Sequence, residues 1–282
     1  MSVRKVTTGL KRLLKHFVLI FTVFITALPF ISMFGTAIKD PVVALTSTSL
    51  LPTSFGDISF SGIHTVLFRT TFAVQLMNSA IVTVTTVVFC VVISVFAGYA
   101  ISRFRGRFFN TFSVMLLVLQ MFPVMLMLIP LFLIYLRFGL INSLASVIIS
   151  YTALNLAFSI WLLKGFFDTI PRELEQAAMV DGCSQFRAFL LVIIPLALPG
   201  IAAVSIFVFV NSWNEFTLAS IFLRQDSVQT MTVGLQRFVM QYSADWSLLM
   251  SAATVATIPT LLFLFVAQKY LIEGLTAGAV KG

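Results

Sequence analysis

Long apolar runs recur along the chain, at 17–38, 70–102, 108–136, 138–163, 188–222 and 246–268, and the fifth admits its one charge, Glu215, only after residue 214. An α-helix rises 1.5 Å per residue, so about 20 such residues cross a hydrocarbon core of about 30 Å. The pattern predicts an all-α, polytopic membrane protein with six transmembrane helices. The second, third and fifth runs exceed what an upright helix needs, so they tilt, extend past the bilayer or carry breaks. Pro29, Pro123, Pro130, Pro199 and Pro259 mark the candidate kinks. The first run follows Arg4, Lys5, Lys11, Arg12 and Lys15, as a signal peptide would. Its 22 uncharged residues are nonetheless long enough to span and no small-residue cleavage site is evident, so it counts as a helix.

A polar island, 165–187, separates the fourth and fifth runs. Its centre reads Glu173-Leu174-Glu175-Gln176-Ala177-Ala178-Met179-Val180-Asp181-Gly182-Cys183-Ser184. Pro171 suits a first helical turn, where its missing N–H has no partner to lose, and Gly182 suits the left-handed residue just past a helix end. The spacing predicts a short helix over 171–181. Ser184 can then cap a second helix, with Arg187 early in it. Of the segments on the other side of the membrane, 39–69, 137–142 and 224–245, the first carries turn chemistry at Asp40-Pro41, Leu51-Pro52 and Phe55-Gly56-Asp57.

Composition agrees with the pattern. Hydrophobic residues make up 59% of the 282 and charged ones 10%, and mean hydropathy is +1.05, more apolar surface than one soluble core can hide. The net charge of +8 would suit nucleic acid, but its distribution has a different explanation. With the N-terminus in the cytoplasm, thirteen basic residues share its side: the five N-terminal ones, Arg103, Arg105, Arg107, Lys164, Arg172, Arg187, Lys269 and Lys281. The other side holds five, Lys39, Arg69, Arg137, Arg224 and Arg237. The excess assigns both termini and the polar island to the cytoplasm and leaves no nucleic-acid partner to invoke. Cys90 lies in an apolar run and Cys183 in the island, so they are not expected to pair, and neither has metal-ligand company. No internal repeat stands out, and 1–282 reads as a single membrane domain.

A transporter needs an energy source, and this sequence has no G-x-x-x-x-G-K-[ST] phosphate loop. Glu215 is the only acid near a span, and His16 and His64 lie outside the runs, whereas proton-coupled carriers place Asp, Glu or His within the bundle. No Ser-His-Asp set, carboxylate pair or H-E-x-x-H helix is offered for catalysis either. The chain is expected to be no enzyme, to bind no cofactor, and to be driven from outside. A self-contained secondary carrier and an intramembrane enzyme or assembly factor are the alternatives.

Gln176-Ala177-Ala178, Gly182 and Val192-x-Ile194-Pro195 together resemble the E-A-A-x3-G-x9-I-x-L-P pattern of permease subunits from binding-protein-dependent ABC importers. Ile170-Pro171-Arg172-Glu173-Leu174-Glu175, Ser212-Trp213-Asn214-Glu215 and the terminal Gly274-Leu275-Thr276-Ala277-Gly278-Ala279-Val280-Lys281-Gly282 look like the maltose-type carbohydrate-uptake group, and the resemblance covers essentially the whole chain. Gln176 stands where the pattern has Glu, and Cys183 where Ala is often found. Glu175 could supply the missing charge but points about 100° away on a helix.

The resemblance implies the type I ABC importer permease architecture in the cytoplasmic membrane of a bacterium or archaeon. The implied partners are two ATPase subunits holding ATP and Mg, a second permease subunit of different sequence, and an extracytoplasmic binding protein. The implied solute is a sugar or oligosaccharide, with another polar solute such as a glycerophosphodiester as the alternative. It makes Glu173, Leu174, Glu175, Gln176, Ala177, Ala178, Met179, Asp181, Gly182 and Pro195 the ATPase-coupling residues. Ala177 and Ala178 allow close approach, Leu174 and Met179 offer apolar knobs, and Glu173, Glu175 and Asp181 offer charge. The tail, with Thr276, Gly278 and Lys281, is too glycine-rich for a stable helix by itself, and the resemblance brings it to the ATPases. Asn78 with Ser79, Gln120, Asn155, Asn211, Trp213, Asn214 and Glu215 are candidates for the translocation path, because sugars need hydrogen-bonding groups and aromatic faces. The same residues suit plain interhelical hydrogen bonding.

Overall fold

The computed structural model describes residues 2–104, 106–241 and 246–279, with side chains over 12–104, 106–239 and 246–269. Among these residues, five helices are long and apolar enough to cross a membrane, and a sixth span results if the bent pair 107–120 and 124–137 is counted as one. The chain forms two compact units, Met1–Ala73 with Leu235–Thr257 and Val74–Gly234 with Ile258–Gly282.

In the first unit, α1 (Ser2–Ala37) runs through Pro29 without a break. After it come α2 (Pro41–Thr46), a 3-10 turn at Phe55–Asp57 and α3 (Ser61–Phe68). The intervening loop is tied down by its polar side chains. Asp40 caps α2 by accepting from the Val42 N–H at 2.9 Å. Lys39 is 1% exposed and donates to the carbonyl and, at 3.1 Å, the Oγ of Ser49. An isolated antiparallel bridge joins Lys39 to Ile58. The Asp57 carboxylate accepts from the Thr53 hydroxyl (2.8 Å) and from the Thr53 and Ser54 amides (3.0 and 2.9 Å). Those donors, the Thr53 hydroxyl foremost, hold its pKa below the ordinary 3.8.

Most of the second unit comprises α4 (Phe72–Arg103), α5 (Arg107–Gln120), α6 (Val124–Arg137), α7 (Leu144–Thr169), α8 (Arg172–Val180), α9 (Gln185–Ala188), α10 (Ile194–Asn214) and α11 (Thr217–Phe222). The third expected span is broken at Pro123, where α5 and α6 meet at a 94° bend. Pro123 has no N–H to extend α5 and biases the residue before it away from helix. Pro130, Pro199 and Pro259 instead lie inside continuous helices.

The core of this unit brings together α4, α7 and α10 through Cys90, Tyr99, Leu163, Phe167, Phe189, Ile193, Val204 and Val208. Glycine sets the spacing on two sides of α7. A Cβ on Gly98 of α4 would lie 3.1 Å from the Lys164 amide nitrogen and 3.3 Å from the Ile160 carbonyl, and one on Gly200 of α10 would lie 2.5 Å from Phe166 Cγ. Small residues at such contacts let helix backbones approach closely, which is how spans gain packing in lipid.

Between α9 and α10 the ladder shifts to a π turn over Phe189–Ile193, with the Ile194 N–H donating to the Phe189 carbonyl. Pro195 follows directly and cannot donate, so a regular helix would leave a carbonyl one turn earlier without its donor.

The segment 224–245 contains α12 (Met231–Gln241). One further difference from expectation is in helix content: α13 (Trp246–Ala279) carries the helix well beyond 268, through Thr276 and Gly278. The glycine-rich end therefore is helical as far as Ala279. Each Gly costs a helix only about 1 kcal/mol, and extending an existing helix avoids the cost of nucleation. Lys281 lies outside the described residues.

Candidate functional site

The polar island folds as its punctuation predicts. Pro171 occupies the cap position before α8, and Glu173 and Glu175 fall in the first turn, where the positive end of the helix dipole favours them. At the other end the Cys183 N–H reaches the Ala178 carbonyl (3.0 Å) and the Gly182 N–H reaches that of Met179 (3.1 Å), a Schellman closure with Gly182 at φ +91°. Ser184 then caps α9, its Oγ accepting from the Arg187 N–H at 3.3 Å.

The helix has two unlike faces. Outward lie Glu173, Leu174, Gln176, Ala177, Met179, Val180 and Asp181, all exposed. Val180 is 88% exposed, more than Leu174 at 43% or Met179 at 47%, and was not among the expected apolar knobs. No atom would lie within 4 Å of a Cβ on Gly182. Pro195 is exposed just past the π turn. Ala178 is half-buried.

Glu175 corrects an expectation. It is 7% exposed and turned into the chain, so it offers no charge at the outward face. Its carboxylate accepts from the Tyr99 hydroxyl and pairs with the Arg103 guanidinium at 3.1 Å. The same guanidinium donates to the carbonyls of Phe167 and Ile170, both at 3.1 Å, which end α7. The Tyr99 ring packs on Phe189 with centroids 4.4 Å apart. A second tie lies beside it: Arg172 donates to the Ser102 carbonyl (2.9 Å), Ser102 Oγ to Asp168 (2.7 Å), and Lys164 pairs with Asp168 (2.6 Å). Sequence reasoning counted Arg103 only as topogenic charge. The available signal was the Tyr99/Arg103 spacing of four at the end of a span.

The path candidates divide. Asn155 and Asn211 meet at 3.2 Å across α7 and α10, and Asn155 also donates to the Tyr151 carbonyl. Glu215 accepts from the Tyr151 hydroxyl (2.6 Å) and from the Leu218 and Ala219 amides (2.8 and 3.2 Å), so it caps α11. Asn78 donates to the carbonyls of Ser227 (3.0 Å) and Gln229 (2.9 Å), and Ser79 accepts from the Met231 amide (2.8 Å). Trp213 is buried beside Phe209, Asn214 is exposed and bonds back to Val210, and Gln120 is exposed at the end of α5. Most of these polar groups thus satisfy backbone or neighbouring helices.

Residues 90–276 match the family model described as binding-protein-dependent transport system inner membrane component. The chain is 36% identical over 251 residues to the diacetylchitobiose uptake system permease protein of Streptomyces coelicolor, covering 89% of this chain and 90% of that one. It is 35% identical over 207 residues to the sulfoquinovosyl glycerol transport system permease protein of Agrobacterium fabrum, covering 73% of each. Over 214 residues it is 34% identical to the trehalose/maltose transport system permease protein of Thermococcus litoralis, covering 75% of this chain and 76% of that one. A crystal structure of a bacterial ABC transporter involved in import of the acidic polysaccharide alginate contains a chain of the same fold, with a TM-score of 0.80 over 94% of this chain and 97% of that one at 23% identity. With a family match over well over half of its length, this chain belongs to the binding-protein-dependent transport system inner membrane components, as a multi-pass permease subunit of an ABC importer and not an enzyme.

Proposed function

We infer that the chain forms one half of the membrane pathway of a sugar or oligosaccharide importer in the cytoplasmic membrane of a bacterium or archaeon. Two ATPase subunits, which hold the ATP and Mg, grip the outward face of α8, and a second permease of different sequence completes the pathway. An extracytoplasmic binding protein delivers the solute. ATP binding closes the ATPases, draws the cytoplasmic helices together and turns the cavity outward; hydrolysis resets it. The solute class is supported by the relatives' names, each of which specifies a glycosidic compound. A transporter chain seen with an alginate pentasaccharide-bound periplasmic protein shares the fold at a TM-score of 0.67.

The observation that carries the reading is α8 itself. It presents a solvated, mixed apolar and acidic face around Gly182, while its inner face is anchored to the chain. Because Gly182 has empty space around it, its replacement separates two effects. Gly182→Ala costs about 1–2 kcal/mol of left-handed backbone strain in the chain alone. Gly182→Trp adds bulk that only a docked partner meets, so it should match Gly182→Ala in thermal stability yet lose co-purifying ATPase. Equal ATPase recovery with both variants would refute the docking. Competition of uptake by a panel of sugars against glycerophosphodiesters tests the solute class, and inhibition by the phosphodiesters alone would overturn it.

A further inference from the structure

The inner face of α8 is built more elaborately than a connecting loop requires. Arg103 and Glu175 are 72 residues apart in sequence, and their side chains are 7% and 9% exposed. Arginine's planar fork allows one group to bond α8 through Nε and the end of α7 through both terminal nitrogens, while its backbone closes α4. At this helix end the Phe167 carbonyl receives only the Ile170 N–H (3.2 Å) and the Ile170 carbonyl lies past the last helical bond, so the guanidinium also completes α7. Tyr99, one turn before Arg103, reaches the other Glu175 oxygen, and its ring is held by Phe167 and Phe189. The Arg172–Ser102–Asp168–Lys164 chain links the same three helices a second time.

We propose that Tyr99, Arg103 and Glu175 form a rigid strut that makes α8 and the cytoplasmic ends of α4 and α7 move as one body, so that a displacement of α8 reaches the spans undiminished. The proposal rests on reading α8 as the element the ATPases grip. A hinge at this point would have to part a buried ion pair and strand both charges, the costliest outcome for such a pair. Compliance is therefore excluded at the joint, and motion is passed on to the helices. The three residues are positioning residues. Glu175 lies on the face of α8 turned away from its outward surface, Tyr99 and Arg103 meet it from α4, and Gln176, at the motif's acidic position, is exposed.

The test uses the complex purified with its ATPase subunits, with Cys90 and Cys183 replaced by Ser and spin labels placed on Phe89→Cys of α4 and Pro171→Cys at the start of α8, both exposed positions off the outward face of α8. Label separation is measured by pulsed electron paramagnetic resonance, without nucleotide and trapped with Mg·ATP and vanadate. The strut predicts a separation constant to within about 2 Å, the scale of ordinary helix shifts. Glu175→Gln, which keeps the shape and removes the charge, should make the separation nucleotide-dependent by more than that. Tyr99→Phe removes one hydroxyl but keeps the ring packing and the ion pair, and should give a smaller change in the same direction while assembly and thermal stability stay near the parent. A parent complex whose labels already move apart on trapping would overturn the strut, and so would variants that stay as rigid as the parent. Failure of the parent chain to retain ATPases would instead sink the docking reading.

Discussion

Replacing Gly200 by alanine tests how closely α10 packs on the Phe166 side chain of α7. The added Cβ would sit 2.5 Å from Phe166 Cγ, 2.7 Å from Cδ2 and 2.9 Å from Cβ, against ordinary contacts that begin near 3.4 Å. Turning the Phe166 ring relieves the first two contacts, but the Phe166 Cβ is fixed by its own backbone, so the helices must separate by about half an ångström. Overpacking of this kind costs about 1–3 kcal/mol. Alanine recovers about 1 kcal/mol of helix propensity relative to glycine. The net expectation is a loss of about 0–2 kcal/mol, or up to several degrees at about 2–4 °C per kcal/mol. Phe166→Gly removes the ring and also the Cβ that cannot turn away. In that background the clash is gone and Gly200→Ala should stabilise by about 1 kcal/mol. Thermal unfolding of the four detergent-purified chains closes the double-mutant cycle, with an expected coupling of about 1–3 kcal/mol. An equal shift from Gly200→Ala in both backgrounds would refute the close-contact reasoning.

Two other predictions concern polar side chains. Asn211→Leu removes one interhelical hydrogen bond to Asn155 and should lower stability by about 0.6 kcal/mol, with uptake within about threefold of the parent; a tenfold loss of uptake at that stability would place Asn211 in the translocation path instead. The Asp57 pKa is lowered by its Thr53 and Ser54 donors, so its contribution is fully present above the unfolded value near 3.8 and is lost only as pH falls through the lower folded value. Amide exchange at Thr53 and Ser54 should accordingly stay protected at pH 5 and lose protection only below pH 3.8, and Asp57→Asn should remove that acid transition; protection unaffected by the substitution would contradict the capping assignment.

The spans were legible because lipid imposes a one-dimensional rule: a crossing segment must be apolar and about 20 residues long, and the charge-free runs obey it. The island was legible because Pro171, Gly182 and Ser184 are local signals, and each acts where the local rules put it. The 94° bend at Pro123 was visible only as a candidate kink, since a proline marks where the ladder fails but not how far the next helix turns. The inward turn of Glu175 was not legible, because it depends on a partner 72 residues away on another helix. The polar residues of the spans read equally well as path or as glue, and only their distances favour glue for Asn155 and Asn211. The helical tail was misread for a different reason: glycine content is a local penalty, and the long helix before it outweighs that penalty.

The π turn at 189–193 has one further consequence, which concerns chain length. It holds one residue in excess of a regular helix, and each residue is worth about 100° of rotation about the axis. Point substitutions there leave the cytoplasmic element aimed as it is. Deleting one residue would restore a regular ladder and leave α8 and α9 aimed as they are, because the wider turn already absorbs the extra residue, but it would leave the carbonyl one turn before Pro195 without a donor. A second deletion has no such turn to absorb it and swings α8 and α9 about a quarter-turn relative to the fifth span, so a chimera that swaps cytoplasmic loops between such chains has one residue of slack between Ser184 and Pro195 and no more.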